Sequence, residues 1–182
     1  MEDAVTLAAP GSSSGQGLRL EGVLEQLRQR VKRVWGLRWG NRWKEVWWRL
    51  LLHGVKGAGG HGWAWAEGHK CECGWQPPVE ASALARSFLI RAHRFWGCPC
   101  AQAVVCCLSE RLQGAQLLPV HVWLLSPPTP HINEPDWWVL ALTALNAMVR
   151  SRGAFVRGGI ELVAAETRAF LDIAWLDFAD SQ

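Results

Sequence analysis

The feature that most constrains this chain is a run of potential metal ligands between His69 and Cys107. Its centre is Cys71-Glu72-Cys73, followed by His93-Arg94-Phe95-Trp96-Gly97-Cys98-Pro99. Three thiolates and one imidazole, in the order Cys71, Cys73, His93, Cys98, make a CCHC set of the kind that binds a structural zinc ion. Gly74 lets the backbone fold back so that Cys71 and Cys73 face one point. His93 and Cys98 are separated by four residues, the spacing usual in the second half of such a site. Pro99 suits the first position of a helix, which places Cys98 at a helix N-terminus, where the dipole is expected to lower the thiol pKa. His69 and Cys100 are alternative fourth ligands. With Cys100 the site would be all-thiolate, Cys71-x-Cys73 with Cys98-x-Cys100.

A metal reading requires reduced cysteines. Met1–Leu20 holds Glu2 and Asp3 and has no sustained apolar run, so it is not expected to be a signal peptide for the six cysteines. An intracellular setting, nuclear or cytoplasmic, is therefore expected, and there paired cysteines bind metals more readily than they form bridges. No stretch reaches eighteen uninterrupted apolar residues, so no membrane partner is expected.

Periodicity along the chain is helical. Residues 1–18 form a leader rich in Ala, Gly and Ser that is expected to be disordered. Leu20, Val23, Leu24, Leu27, Val31 and Val34 then make an amphipathic stripe. Trp35, Trp39, Trp43 and Trp47 recur every four residues. They read either as a base-stacking ridge or, more simply, as core contacts of a bundle. A break near Gly40, with Asn41 as N-cap, precedes a helix over 43–55 that ends at His53-Gly54. Gly57–Gly62 has neither the preceding strand nor the Gly-Lys-Ser/Thr ending of a phosphate-binding loop, and His61 reads as a loop residue. A helix over 79–95 is expected to turn Leu84, Phe88, Ile90 and Phe95 inward, with Phe95 and Trp96 shielding the metal. Another runs from Pro99 to Leu112, with Cys106 and Cys107 as small buried groups. Leu117–Leu125 reads as a short extended segment. Asn133 or Asp136 caps a largely apolar helix from Trp137 to Arg152. After Gly158-Gly159, residues 160–179 form a last amphipathic helix with Leu162, Val163, Phe170, Ile173 and Trp175 inward.

These features resemble the C-terminal zinc-binding region of reverse transcriptases of non-LTR (LINE-type) retrotransposons. The family pattern begins with a Trp-x-Leu-Leu-x-Gly helix and a Cys pair. It continues with His-x4-Cys-Pro-x-Ala-x-x-Val and closes with a Trp- and Leu-rich helix ending in Arg. The corresponding stretches here are Trp47-Trp48-Arg49-Leu50-Leu51-Leu52-His53-Gly54, Cys71/Cys73, His93 to Val104, and Trp137-Trp138 through Arg150-Ser151-Arg152. The likeness spans roughly residues 43–155. The sequence departs from the pattern in having Cys-x-Cys for Cys-x-x-Cys and Val105 for a usual Trp.

The resemblance favours His93 over Cys100 as fourth ligand, because position 100 is variable in the pattern. It implies a mainly α fold, a small domain of about five helices with one structural zinc. Residues 19–155 would form the zinc-binding domain, with 156–182 a helix packing on it. It further implies contact with RNA or DNA, and with other parts of a retroelement polyprotein. Residues 19–49 carry nine Lys/Arg against three Glu, whereas 158–182 carry five acids and one base. Arg28, Arg30, Lys32, Arg33, Arg38 and Arg42 are accordingly the candidate nucleic-acid contacts.

Catalysis is not expected. The chain has no Tyr and no Asp-Asp pair to hold polymerase metals, and no room for a polymerase palm beside the zinc region. A His93–Cys98 nucleophile pair lacks an orienting partner, and no small-molecule substrate is implied. The competing reading is a metal-free helical interaction protein, or a decayed retroelement remnant. Thirteen Trp and few Lys are in part what GC-rich codons give, so the tryptophans need not all be binding devices.

Overall fold

The computed structural model describes residues 14–52 and 70–182. The leader up to residue 13, His53-Gly54, the Gly57–Gly62 loop, His61 and His69 lie outside them. The described residues are helical and contain no strand. The chain separates into two compact units, with the boundary between Gly36 and Leu37.

The first unit is described by one helix, α1, Ser14–Gly36. It contains the expected stripe but starts inside the expected leader. Gly15 and Gly17 each cost about 1 kcal/mol relative to alanine. Extending an existing helix gains one hydrogen bond for each residue fixed, which opposes that cost.

The second unit holds α2 (Asn41–Leu51), α3 (Ala83–Ala92), a π-helical turn (His93–Gly97), α4 (Pro99–Arg111), α5 (Pro119–Trp123) and α6 (Glu134–Ala179). Gly40, not Asn41, occupies the N-cap of α2, and it contributes no side-chain cap. Leu117–Leu125 contains the short helix α5 instead of an extended segment. Pro119 at its first turn supplies a helical φ and needs no amide partner there.

Helix α6 is the hub against which α2, α4 and α5 pack. Asn133 caps it: its Oδ1 accepts the Asp136 amide at 3.2 Å, and its Nδ2 donates to the Asp136 carboxylate at 2.8 Å. Residues Trp137 to Met148 are buried without interruption, as an all-round apolar helix must be. The helix then breaks at Gly158-Gly159. Gly159 has φ +67°, and a Cβ on Gly158 would stand 2.9 Å from Leu162 Cβ. Glycine is therefore required at the bend. The two arms fold back as a hairpin, Ala147, Ser151 and Ala154 facing Val163 and Thr167 around a cavity of about 90 Å³.

The tryptophans mostly build core. Trp39, Trp43 and Trp47 are buried, and Trp35 is 37% exposed. Their indole N–H groups find acceptors, as burial demands. Trp47 donates to the Trp123 carbonyl at 2.9 Å, Trp138 to that of Leu125 at 3.1 Å, and Trp137 to that of His121 at 3.2 Å. Trp39 and Trp43 stack with parallel rings 5.0 Å apart, and both donate to Asp177 Oδ2. Lys44 is buried, its Nζ donating to the Leu37 carbonyl at 2.8 Å, and burial lowers its pKa.

Several expected core residues point outward. On α3, Leu84 is 77% and Phe88 55% exposed, whereas Ile90 and Phe95 are buried. Ile173 is exposed and so is Cys106; Cys107 alone of that pair is buried. A stripe's periodicity fixes which residues share a face, but packing decides which face turns inward.

Candidate metal centre

The turn after Lys70 is built by its own backbone. The Cys71 amide donates to the Trp75 carbonyl at 2.7 Å, the Gly74 amide to the Cys71 carbonyl at 2.7 Å, and Gly74 takes φ +90°. This left-handed residue reverses the chain and leaves Cys71 and Cys73 on one side. The second half of the site depends on the π-helical turn. Its wider ring closes with the Cys98 amide donating to the His93 carbonyl at 2.6 Å. That places the imidazole at the start of the turn and the thiol at its end against the same point. Cys98 is the N-cap of α4, with Pro99 at the first helical position, as expected.

Four side chains thereby converge. Cys71 Sγ lies 3.8 Å from Cys98 Sγ, and Cys73 Sγ lies 3.3 Å from His93 Nε2. All four ligand atoms fall within 4.8 Å of one another. Bond lengths of about 2.3 Å to sulfur imply sulfur–sulfur edges of about 3.8 Å in a tetrahedral site. The observed spacing suits a tetrahedral ion, so Cys71, Cys73, His93 and Cys98 can hold a metal. Among the described residues no other group of three or more His, Cys, Asp and Glu does so.

The surroundings answer the charge. Cys71 Sγ accepts the Cys73 amide, and Cys98 Sγ accepts the Cys100 amide. Even so, burial pushes the Cys71 thiol up to about 12 and the Cys98 thiol up to about 11. This corrects the expectation of a Cys98 thiol made acidic by its helix: loss of solvent outweighs the amide bond. Burial likewise lowers the His93 pKa, keeping the ring in the neutral form a metal requires. Without a cation the Cys71 and Cys98 thiols stay protonated at neutral pH.

Three thiolates around a divalent ion leave a net charge of about −1. Arg94 and Arg152 stand beside the sulfurs to offset it. Arg152 comes from α6, eighty positions along the chain from Glu72, and forms an ion pair with it. Met148 and Ser151 of α6 complete that wall. Trp75 stacks on the His93 ring, centroids 4.1 Å apart and 10° from parallel, fixing its orientation.

Cys100 is buried and hydrogen-bonds to the Cys98 sulfur, outside the group of four. Sequence reasoning missed the Glu72–Arg152 pair, Arg94 and the Trp75 stack. Only the Arg that ends the apolar part of α6 hinted at one of them.

The expected nucleic-acid contacts are divided between the units. Arg28, Arg30, Lys32 and Arg33 lie on α1, where Arg28 pairs with Glu25 at 2.6 Å. Arg38 precedes α2, and Arg42 lies on it, 3.6 Å from Asp177 and over the Trp43 ring at 5.1 Å. No helix among the described residues is long and apolar enough to cross a membrane. Comparison with known families, characterised proteins and solved structures gives no match.

Proposed function

We propose that the chain is a non-catalytic, zinc-stabilised nucleic-acid-binding module, related to the C-terminal zinc-binding region of non-LTR retrotransposon reverse transcriptases. The observation that carries this reading is the convergence of Cys71, Cys73, His93 and Cys98, the residues the motif resemblance selects, on one tetrahedral spacing. Zinc is the ion of choice for a closed Cys3His set with four protein ligands. Its role is structural. It ties the Cys71–Trp75 turn to the start of α4, and binding free energies in small zinc modules are roughly 10 kcal/mol or more. RNA or DNA is the proposed partner, held through arginine-rich helix faces in the manner of a phosphate-contacting protein.

The deciding test is elemental analysis of protein purified without added metal, alongside Cys71→Ser and Cys98→Ser. One zinc per chain, lost in both variants, is expected. A well-folded protein without metal would overturn the reading. The nucleic-acid half is tested by the salt dependence of oligonucleotide binding, which falls steeply when phosphates are contacted.

A further inference from the structure

A cleft of about 310 Å³ opens on the second unit, bounded by Arg42 and Trp43 of α2 and by Asn146, Arg150, Phe170 and Ile173 of the α6 hairpin. Its walls alternate cation and ring. The Arg42 guanidinium lies 5.1 Å from the Trp43 centroid, Trp43 lies 5.0 Å from Phe170, and the Arg150 guanidinium lies 4.7 Å from Phe170. The rings hold both guanidinium planes against apolar faces and leave their N–H edges for a ligand.

Two of the neighbouring acids are committed elsewhere. Glu166 pairs with Arg157 at 2.7 Å, and Asp172 pairs with Arg111 at 2.5 Å. Asp177 Oδ2 accepts both indole N–H groups, from Trp43 at 2.8 Å and Trp39 at 3.1 Å, so its 3.6 Å approach to Arg42 is loose. Arg42 remains 73% exposed along its side chain. Among the described residues no carboxylate pairs with Arg150.

Asn146 braces the wall. Its Nδ2 donates to the carbonyls of Trp43 at 2.8 Å and Leu142 at 2.9 Å, which uses both amide hydrogens and ties α2 to α6 at the cleft wall. Ile173, 59% exposed, supplies an apolar lip.

We infer that this cleft takes one nucleotide step of a single-stranded nucleic acid. Arg42 and Arg150 bind phosphate oxygens, and the Ile173 lip with the edge of Phe170 receives the base or sugar. Paired guanidiniums match phosphate geometry, and adjoining aromatic and apolar surface favours an unpaired base over a bare anion. The inference rests on the nucleic-acid reading above and gives it a second location, on the second unit.

The test uses the full chain and fluorescence anisotropy with a labelled single-stranded 20-mer, comparing wild type, Arg150→Gln, Ile173→Glu and Arg30→Gln. One lost phosphate contact is expected to weaken binding about fivefold at 0.1 M salt and to reduce the log–log salt slope by about 0.7. Arg150→Gln should show both effects, and Ile173→Glu should weaken binding at least as much. Circular dichroism, unchanged at these exposed positions, separates lost contact from lost fold. If wild type binds while Arg150→Gln and Ile173→Glu bind equally well, the cleft inference fails and the nucleic-acid reading stands on α1, where Arg30→Gln then carries the loss. Wild type that fails to bind at low salt sinks both. Polyglutamate competing as well as an unlabelled oligonucleotide would reduce the cleft to a general anion site and overturn its assignment to nucleotides.

Discussion

Two regions of the second unit hold distant segments together by opposite means. Around α6 the chain relies on burial. Trp43, Trp47, Trp137 and Trp138 are enclosed, and each indole N–H meets a carbonyl or carboxylate. The turn from Cys71 to Trp75 has almost no apolar enclosure. It is attached by the Trp75–His93 ring stack, the Glu72–Arg152 ion pair and a cluster of four ligand atoms that could hold a metal ion. The first region is stable by area removed from water, whereas the second is proposed to be ordered by coordination. On the proposed reading a metal would act on a local element, whereas loss of core would act on everything.

Trp47→Ala attacks the burial side and has the largest expected effect. It removes a fully buried indole and orphans the Trp123 carbonyl. A loss of about 3–5 kcal/mol is expected, read as a lower denaturant midpoint. The metal site should be lost in the same transition, because His93, Cys98 and Arg152 ride on helices that the core positions. A metal site that outlasts the helices would reverse the proposed hierarchy.

Chelation attacks the other side and should act locally. Removing the ion is expected to accelerate hydrogen exchange at residues 71–75 while the amides of α4 and the first arm of α6 remain protected. Simultaneous melting of those helices would mean that the ion, not burial, organises the whole unit.

The smallest effect is a change in the sign of the pH dependence. In the metal-free protein the Cys71 and Cys98 thiols are held up at about 12 and about 11 by burial. The unfolded chain gives up those protons first, in the ordinary thiol range near 9, so stability falls as pH rises from there toward the folded values. His93, lowered by burial, adds stability that is full above its ordinary value of 6.5 and declines as pH drops below it. In the loaded protein the sulfurs are already thiolates, so the alkaline loss should disappear and acid should release the ion. Thermal melts across pH, with and without metal, test this; an alkaline limb that persists on loading would show that Cys71 and Cys98 are not ligands.

Reading the residues went furthest where chemistry is local. The ligand spacing, the Gly74 turn, the Pro99 helix start, the Asn133 cap and the Gly158-Gly159 break each depend on a few neighbouring residues. Such local rules carry over directly into structure. The outward-facing Leu84 and Phe88, and the helix in place of an extended segment at Pro119–Trp123, did not follow, because neighbours far along the chain decide them.

The sequence by itself therefore determined that the chain is helical, that its tryptophans could serve as core, and that three cysteines and a histidine could share an ion. Only the tertiary structure decided that a π-helical turn aims His93 and Cys98 at one point. It also decided that Arg152 crosses from α6 to Glu72, and that Arg42 and Arg150 flank one cleft. The reason is range. Backbone propensities and ligand spacings act over a turn or two of helix, whereas these juxtapositions arise only when the hairpin of α6 closes against α2 and α4.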